Sequence, residues 1–311
     1  MFDYKNIKIA FFGTDKFATK SLRSINENFT ISSIYTQESK QSGRGMAFKS
    51  TDVYQEAIDI GLKDIIKTPS QLTNDDEYFL KSLKIDFIVV VSYGLILPEF
   101  ILKVPNYHSL NIHPSSLPRY RGAAPIERSI ENNEIDTSVC VIKMNNELDS
   151  GDLAFKVSDI LISDFKNSIE AMEKLSDIGA LSIVECIKLI IDNKDFTFTP
   201  QNQSIKMSYA KKVTKKELFI SKEIALSLTS IQIMCKIRAF ANHGYVKIRF
   251  NDIIIKVIDA KVSKSQETDI DLISCDGFVV PIVIQPANKR QMNVKDFFNG
   301  LRKQIVPRGT M

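Results

Sequence analysis

Short apolar runs separated by polar turns dominate the first 150 residues, and their lengths tell strands from helices. Ile7–Phe12 is a nearly unbroken apolar run that stops at Gly13-Thr14-Asp15. A short run without polar alternation reads as a strand buried on both faces. Thr14 or Asp15 then offers a side-chain oxygen to the first amides of a helix carrying Leu22 and Ile25. Ile31–Thr36 is a second strand with a β-branched bias. Thr51–Ile60 and Asp75–Leu83 have amphipathic helical spacing, and Asp86–Gly94 contains the continuous run Phe87-Ile88-Val89-Val90-Val91. Ser109–Ile112 and Ser138–Met144 are further strands, and Ser168–Ile190 repeats apolar residues at the helical period. Strands alternating with helices predict an α/β fold with a doubly wound, Rossmann-like parallel sheet.

The texture changes after Asn193–Gln203, a polar connector containing Pro200. A helix at Ser227–Phe240 leads into short β-rich runs at Val246–Phe250, Ile253–Ile258, Asp271–Ile273 and Phe278–Ile284. Asn251-Asp252 and Asp276-Gly277 separate these runs, and the second fits a hairpin. They predict a small C-terminal β-barrel, OB-like in type. The 311 residues exceed the roughly 250–300 at which one core usually splits. The expected division is a first domain at 1–192, a linker at 193–208 and a second domain at 209–311.

Composition sharpens this picture at three points. No apolar run approaches the roughly 18–20 residues of a membrane span, so no membrane partner is expected. Met1–Lys5 lacks the basic and apolar regions of a signal peptide, which points to a cytoplasmic protein. Cys140, Cys186, Cys235 and Cys275 form no CxxC, so neither disulfides nor a metal site is expected, and the four read as buried or inert thiols. Charge is polarised along the chain. From Lys206 to the end, 19 basic side chains face 9 acidic ones, whereas the preceding part carries 22 and 28. A basic second part suits a polyanionic partner; a lysine-rich solvated surface has the same composition.

The candidate chemistry lies between Leu110 and Asp152. Asn111 and His113 alternate with Leu110 and Ile112, so they share one face of a short strand that Pro114 ends. In open α/β sheets, ligands bind beyond the carboxyl ends of the strands. Asn111 supplies an amide N–H suited to a developing oxyanion, and His113 a group that exchanges protons near neutral pH. A structural Asn–His pair at a strand end is the alternative. Asp149 follows a β-rich run and offers a carboxylate to orient His113; Glu147 and Asp152 stand in the same acidic turn and compete for that role. Pro114–Pro125 is a rigid loop with Arg119 and Arg121, side chains that meet phosphate or carboxylate or simply solvate the loop. GxGxxG and P-loop patterns are absent, which argues against a conventional dinucleotide site.

The segments Asn111/His113, Ser115–Ile126 and Leu148–Asp152 closely resemble the methionyl-tRNA formyltransferase family, enzymes dependent on 10-formyltetrahydrofolate. Val90–Pro98, Ile284–Ala287 and Asp296–Gly300 agree in the same order, so the resemblance spans nearly the whole chain. It implies that Asn111, His113 and Asp149 are the catalytic trio. It also implies that Ser115, Ser116, Leu117 and Pro118 line the folate site, with Ile96, Leu97, Asn145, Asn146, Glu147 and Leu148 around the pteridine. By the same resemblance the Gln37–Ser50 loop with Arg44 meets the tRNA acceptor end, and the basic C-terminal part, beginning with Lys206, Lys211 and Lys212, binds tRNA. The implied donor is 10-formyltetrahydrofolate without a metal, the partner is methionyl initiator tRNA, and a monomer is expected.

Three departures from the family pattern stand out. Glu147 replaces a usual glycine, and since glycine permits positive φ the turn before Asp149 is expected to be altered. Met46-Ala47 replace two lysines of the acceptor loop, and Ala241–Tyr245 replaces a tryptophan-containing segment; the chain has no tryptophan. A nucleotide-amino-sugar N-formyltransferase and a 10-formyltetrahydrofolate hydrolase share the trio. A catalytically silent RNA-binding module would explain the basic part and leave the trio idle.

Overall fold

The two apolar runs lie side by side at the centre of one sheet. The structure, a computed structural model, describes residues 3–42, 47–193 and 195–305. In chain order it begins with β1 (Lys8–Gly13), α1 (Lys16–Asn28), β2 (Thr30–Tyr35), β3 (Lys40–Ser42), β4 (Ala47–Lys49), α2 (Asp52–Asp59), β5 (Ile66–Lys67), α3 (Asn74–Leu83) and β6 (Phe87–Val91). There follow α4 (Glu99–Leu102), β7 (His108–His113), β8 (Arg121–Gly122), α5 (Pro125–Glu131), β9 (Asp136–Lys143), β10 (Leu153–Leu161), α6 (Ser168–Asp192) and β11 (Tyr209–Ala210). The chain divides into two compact units. One holds Met1–Pro125, Asp136–Leu161 and Met172–Ala210; the other holds Ile126–Ile135, Ile162–Ala171 and Lys211–Met311.

The sheet of the first unit runs β10-β9-β7-β6-β1-β2-β5. Its β7-β6-β1-β2-β5 portion is parallel. The expected all-parallel sheet is corrected here to a mixed one, because β9 is antiparallel to β7 and β10 antiparallel to β9. A tight connection from Lys143 to Leu153 has no room for the crossover that a parallel neighbour needs. Ile9, Phe11, Phe12, Phe87, Ile88 and Val89 are wholly buried. Burying each such side chain contributes on the order of 1.5–3 kcal/mol, so the sheet centre rigidly positions whatever leaves its carboxyl edge. Phe12 stacks on Tyr35 at 4.4 Å and meets Tyr93 edge-on at 5.2 Å, closing one face of the sheet. Asp15, not Thr14, caps α1 by accepting from the Phe17 amide at 3.1 Å; Thr14 Oγ1 instead donates to the Tyr93 carbonyl.

The second unit is built around α7 (Lys222–Leu226), α8 (Ser230–Ala239), β12 (Val246–Phe250), β13 (Ile253–Ser263), β14 (Leu272–Ile273), β15 (Phe278–Pro286), β16 (Met292–Asn293) and α9 (Val294–Ile305). Its strands form an antiparallel sheet in the order β12-β13-β15-β14, with β16 also on β15. Both turn signals form hairpins: Phe250 pairs with Ile253 across Asn251-Asp252, and Ser274 N donates to the Gly277 carbonyl at 2.9 Å. A capping box between Thr229 and Gln232 starts α8 three residues later than its apolar pattern suggests. Within this unit Arg128 binds Glu131 at 2.5 Å and Glu217 at 2.7 Å, and Lys236 also reaches Glu131. Cys140, Cys186, Cys235 and Cys275 are all free thiols; the first three are buried and Cys275 is exposed. Among the described residues no helix is long and apolar enough to cross a membrane.

Candidate functional site

β7 presents Asn111 and His113 from one face of the sheet, 9% and 4% exposed respectively. Pairing with both β6 and β9 fixes this strand on its two sides. Pro114 then turns the chain into a loop that folds on itself. Ser115 Oγ donates to the Arg119 carbonyl at 2.8 Å, and the Ser116 and Ser138 hydroxyls lie 2.8 Å apart. Leu117 packs on Cys140, Ile142 and Leu153, and the Leu117–Pro118 peptide is cis. Burial pushes the Cys140 thiol up to about 11, so it remains a protonated donor to the Ser115 carbonyl at 3.2 Å.

The loop returns the Tyr120 carbonyl onto His113, 2.8 Å from Nε2. A carbonyl only accepts, so the hydrogen-bond network assigns the hydrogen to Nε2 and leaves Nδ1 as the atom that gains or loses a proton. Nδ1 faces Asp149, with Oδ2 at 3.7 Å, and Asn111 Nδ2 approaches Oδ1 at 3.5 Å. The three side chains of the trio are therefore brought together around one carboxylate. Both contacts are long for direct hydrogen bonds, which leaves room for them to tighten around a bound group.

Asp149 is the acid of the turn that reaches this centre, because Glu147 and Asp152 are exposed. Its own backbone is left-handed, at φ 48°. Glu147 is not among the residues with positive φ; the left-handed backbone of this turn is at Asp149. Asn145 shapes the turn by accepting from Glu147 N at 3.0 Å and Ser150 Oγ at 2.8 Å. The carboxylate accepts from the Gly122 amide at 2.8 Å. Gly122 has φ 115°, which favours glycine, and its register comes from β8 pairing with β11, where Gly122 faces Ala210.

One residue that the sequence did not single out connects these segments. Gln201, 9% exposed, donates through Nε2 to the carbonyls of Asp149 at 2.8 Å and Gly151 at 2.9 Å. Its Oε1 accepts from Arg121 Nη2 at 2.6 Å and Nε at 3.2 Å. The Tyr120 carbonyl and Gly122 amide were likewise unmarked, because backbone groups carry no residue-type signal.

The remaining candidates are spread around this centre. Ser115, Leu117 and Pro118 are buried in the packing of their loop, and Ser116 is half-buried. Ile96 is 90% and Leu148 60% exposed, whereas Leu97 is buried among the residues around Tyr93. The segments bearing Ile96 and Leu148 are tied together at Glu99. Lys103 first, and Asn146 after it, donates to the Glu99 carboxyl and holds it below its ordinary value. Lys206 is exposed in the first unit, and Lys211 and Lys212 are exposed in the second. Arg44 lies outside the described residues. Among the described residues no group of three or more His, Cys, Asp or Glu side chains is arranged to hold a metal ion. The arrangement as a whole joins an amide donor, an imidazole with one exchangeable proton and a carboxylate, which suits stabilising an oxyanion and relaying a proton.

A formyl transferase family model matches residues 7–185. A methionyl-tRNA formyltransferase of Dictyoglomus thermophilum is 35% identical over 97% of this chain and 99% of its own length. Another, from Neisseria meningitidis serogroup B, is 33% identical over 94% and 97%. Among solved structures, the sugar 3N-formyl transferase WlaRD, crystallised with dTDP and 5-N-formyl-THF, superposes with a TM-score of 0.62. It covers 91% of this chain and 99% of its own at 23% identity, a likeness of fold alone.

Proposed function

The chain belongs to the formyl transferase family, among the methionyl-tRNA formyltransferases, and we propose that it moves a formyl group from 10-formyltetrahydrofolate to the α-amine of methionyl initiator tRNA. The observation that carries this reading is the convergence of Asn111, His113 and Asp149 at the carboxyl edge of the sheet. The donor supplies an activated formyl carbon. The exposed side chains of Ile96 and Leu148, on segments joined through Glu99 and Asn146, suit an apolar ring system.

As the amine nitrogen bonds to the formyl carbon, the carbonyl electron pair moves to oxygen. Asn111 Nδ2–H and protonated His113 Nδ1–H stabilise that charge. Asp149 faces the imidazolium and offsets its positive charge; His113 gives its Nδ1 proton to the departing donor nitrogen and then takes up the proton that the attacking amine sheds. The bond from the donor nitrogen to the formyl carbon breaks, and the carbonyl re-forms. No step calls on a metal.

In this reading the C-terminal antiparallel sheet is an OB-like barrel of a tRNA-binding domain spanning 209–311, joined through a linker at 193–208 to the catalytic domain at 1–192. Arg44, Lys206, Lys211 and Lys212 contact the nucleic acid, and the enzyme works as a monomer in the cytoplasm. The test is formyl transfer by Asn111→Ala and His113→Ala enzymes. Removing an oxyanion donor costs about 10²–10³ in kcat, so each variant should remain folded, by circular dichroism, and fall by at least that factor. Near wild-type turnover in either variant contradicts the assignment.

A further inference from the structure

Asp149 is the only member of the trio that comes from a turn, and its aim depends on groups outside the trio. Three observations converge on Gln201. Its amide donates to two carbonyls of the turn, those of Asp149 and Gly151. Its carbonyl oxygen accepts from the Arg121 guanidinium. Arg121 immediately precedes Gly122, whose amide holds the Asp149 carboxylate. The side chain is buried, so these bonds are not shared with bulk solvent.

We propose that Gln201 is a positioning residue for the transfer reaction, locking the Asp149 turn to the Arg121–Gly122 strand so that the carboxylate faces His113 Nδ1. This rests on the formyl-transfer reading above. Glutamine suits the task because one end must donate twice while the other accepts. A glutamate keeps the acceptor for Arg121 but has no hydrogens for the two carbonyls. A methionine keeps the approximate length and loses both functions. Releasing the turn lets Asp149 leave its left-handed backbone and turns its carboxylate away from His113 Nδ1. The consequence belongs to turnover, since both ends of the Gln201 side chain are committed to Arg121 and to the Asp149 and Gly151 carbonyls.

The experiment compares wild type, Gln201→Met and Gln201→Glu in formyl transfer from 10-formyltetrahydrofolate to methionyl-tRNA, with thermal unfolding alongside. Both variants should lose about tenfold or more in kcat with KM for donor and acceptor within a factor of two or three. A fall in kcat with KM nearly unchanged is what loss of stability alone would not produce. If one variant fails to fold, the other carries the comparison. A lowered melting temperature with unchanged kcat overturns the proposal and leaves the reaction assignment standing. Absence of transfer by the wild type itself overturns both.

Discussion

A left-handed aspartate is costly, by about 1–2 kcal/mol for a non-glycine residue, and Asp149 adopts that backbone in the turn that faces Asn111 and His113. The cost is met locally by a dense set of directed bonds: Gly122 N–H on the carboxylate and Gln201 on the backbone carbonyls. Gly151 completes the turn. A Cβ at that position would sit 1.8 Å from the Lys143 carbonyl oxygen, a backbone atom held by the adjoining strand pairing. Gly151→Ala should therefore destabilise the first unit by about 1–3 kcal/mol, the usual range for overpacking, and displace Asp149 enough to reduce turnover. Urea unfolding and formyl transfer measured on the same preparation check this. Wild-type stability and rate together would show that the close contact is relieved without cost.

At the scale of elements, strands buried on both faces were legible because continuous apolar runs have few other readings. β1 and β6 emerged this way, and the period-2 alternation correctly put Asn111 and His113 on one face of β7. The edge strand β10 was not legible. It is largely solvated, and Lys156, Ser158 and Asp159 interrupt its apolar pattern. Two-residue strands such as β8 and β11 carry no pattern at all, yet their pairing sets the register of Gly122. Gln201 escaped notice because its role is defined by carbonyls some fifty residues away.

The second unit offers an independent element-scale prediction. Arg128 holds the Glu217 carboxyl down, to about 2 from an ordinary 4.5. A depressed folded-state pKa stabilises at pH values above the unfolded one, and that contribution is lost as pH falls through the folded value. The stability difference between wild type and Glu217→Gln should therefore shrink between pH 4.5 and about pH 2. Unfolding free energies measured across that window test it; a difference that stays constant contradicts the pairing.

At the scale of the whole molecule, the chemistry and the basic charge reside in different parts of the chain. The trio belongs to the first unit, whereas the excess of basic residues lies from Lys206 onward. In the proposed reading the trio serves formyl transfer to an amine but does not by itself choose the amine. A basic C-terminal part suits an acceptor that is a polyanion, and a small amino sugar would make little use of it. The most direct measurement is formyl transfer from 10-formyltetrahydrofolate to initiator tRNA charged with methionine, beside uncharged tRNA and a nucleotide-linked amino sugar. The account predicts formylated methionyl-tRNA, formed in step with donor consumption, and no transfer to the other two. Transfer to the amino sugar alone, or donor consumption without any formylated acceptor, would contradict it.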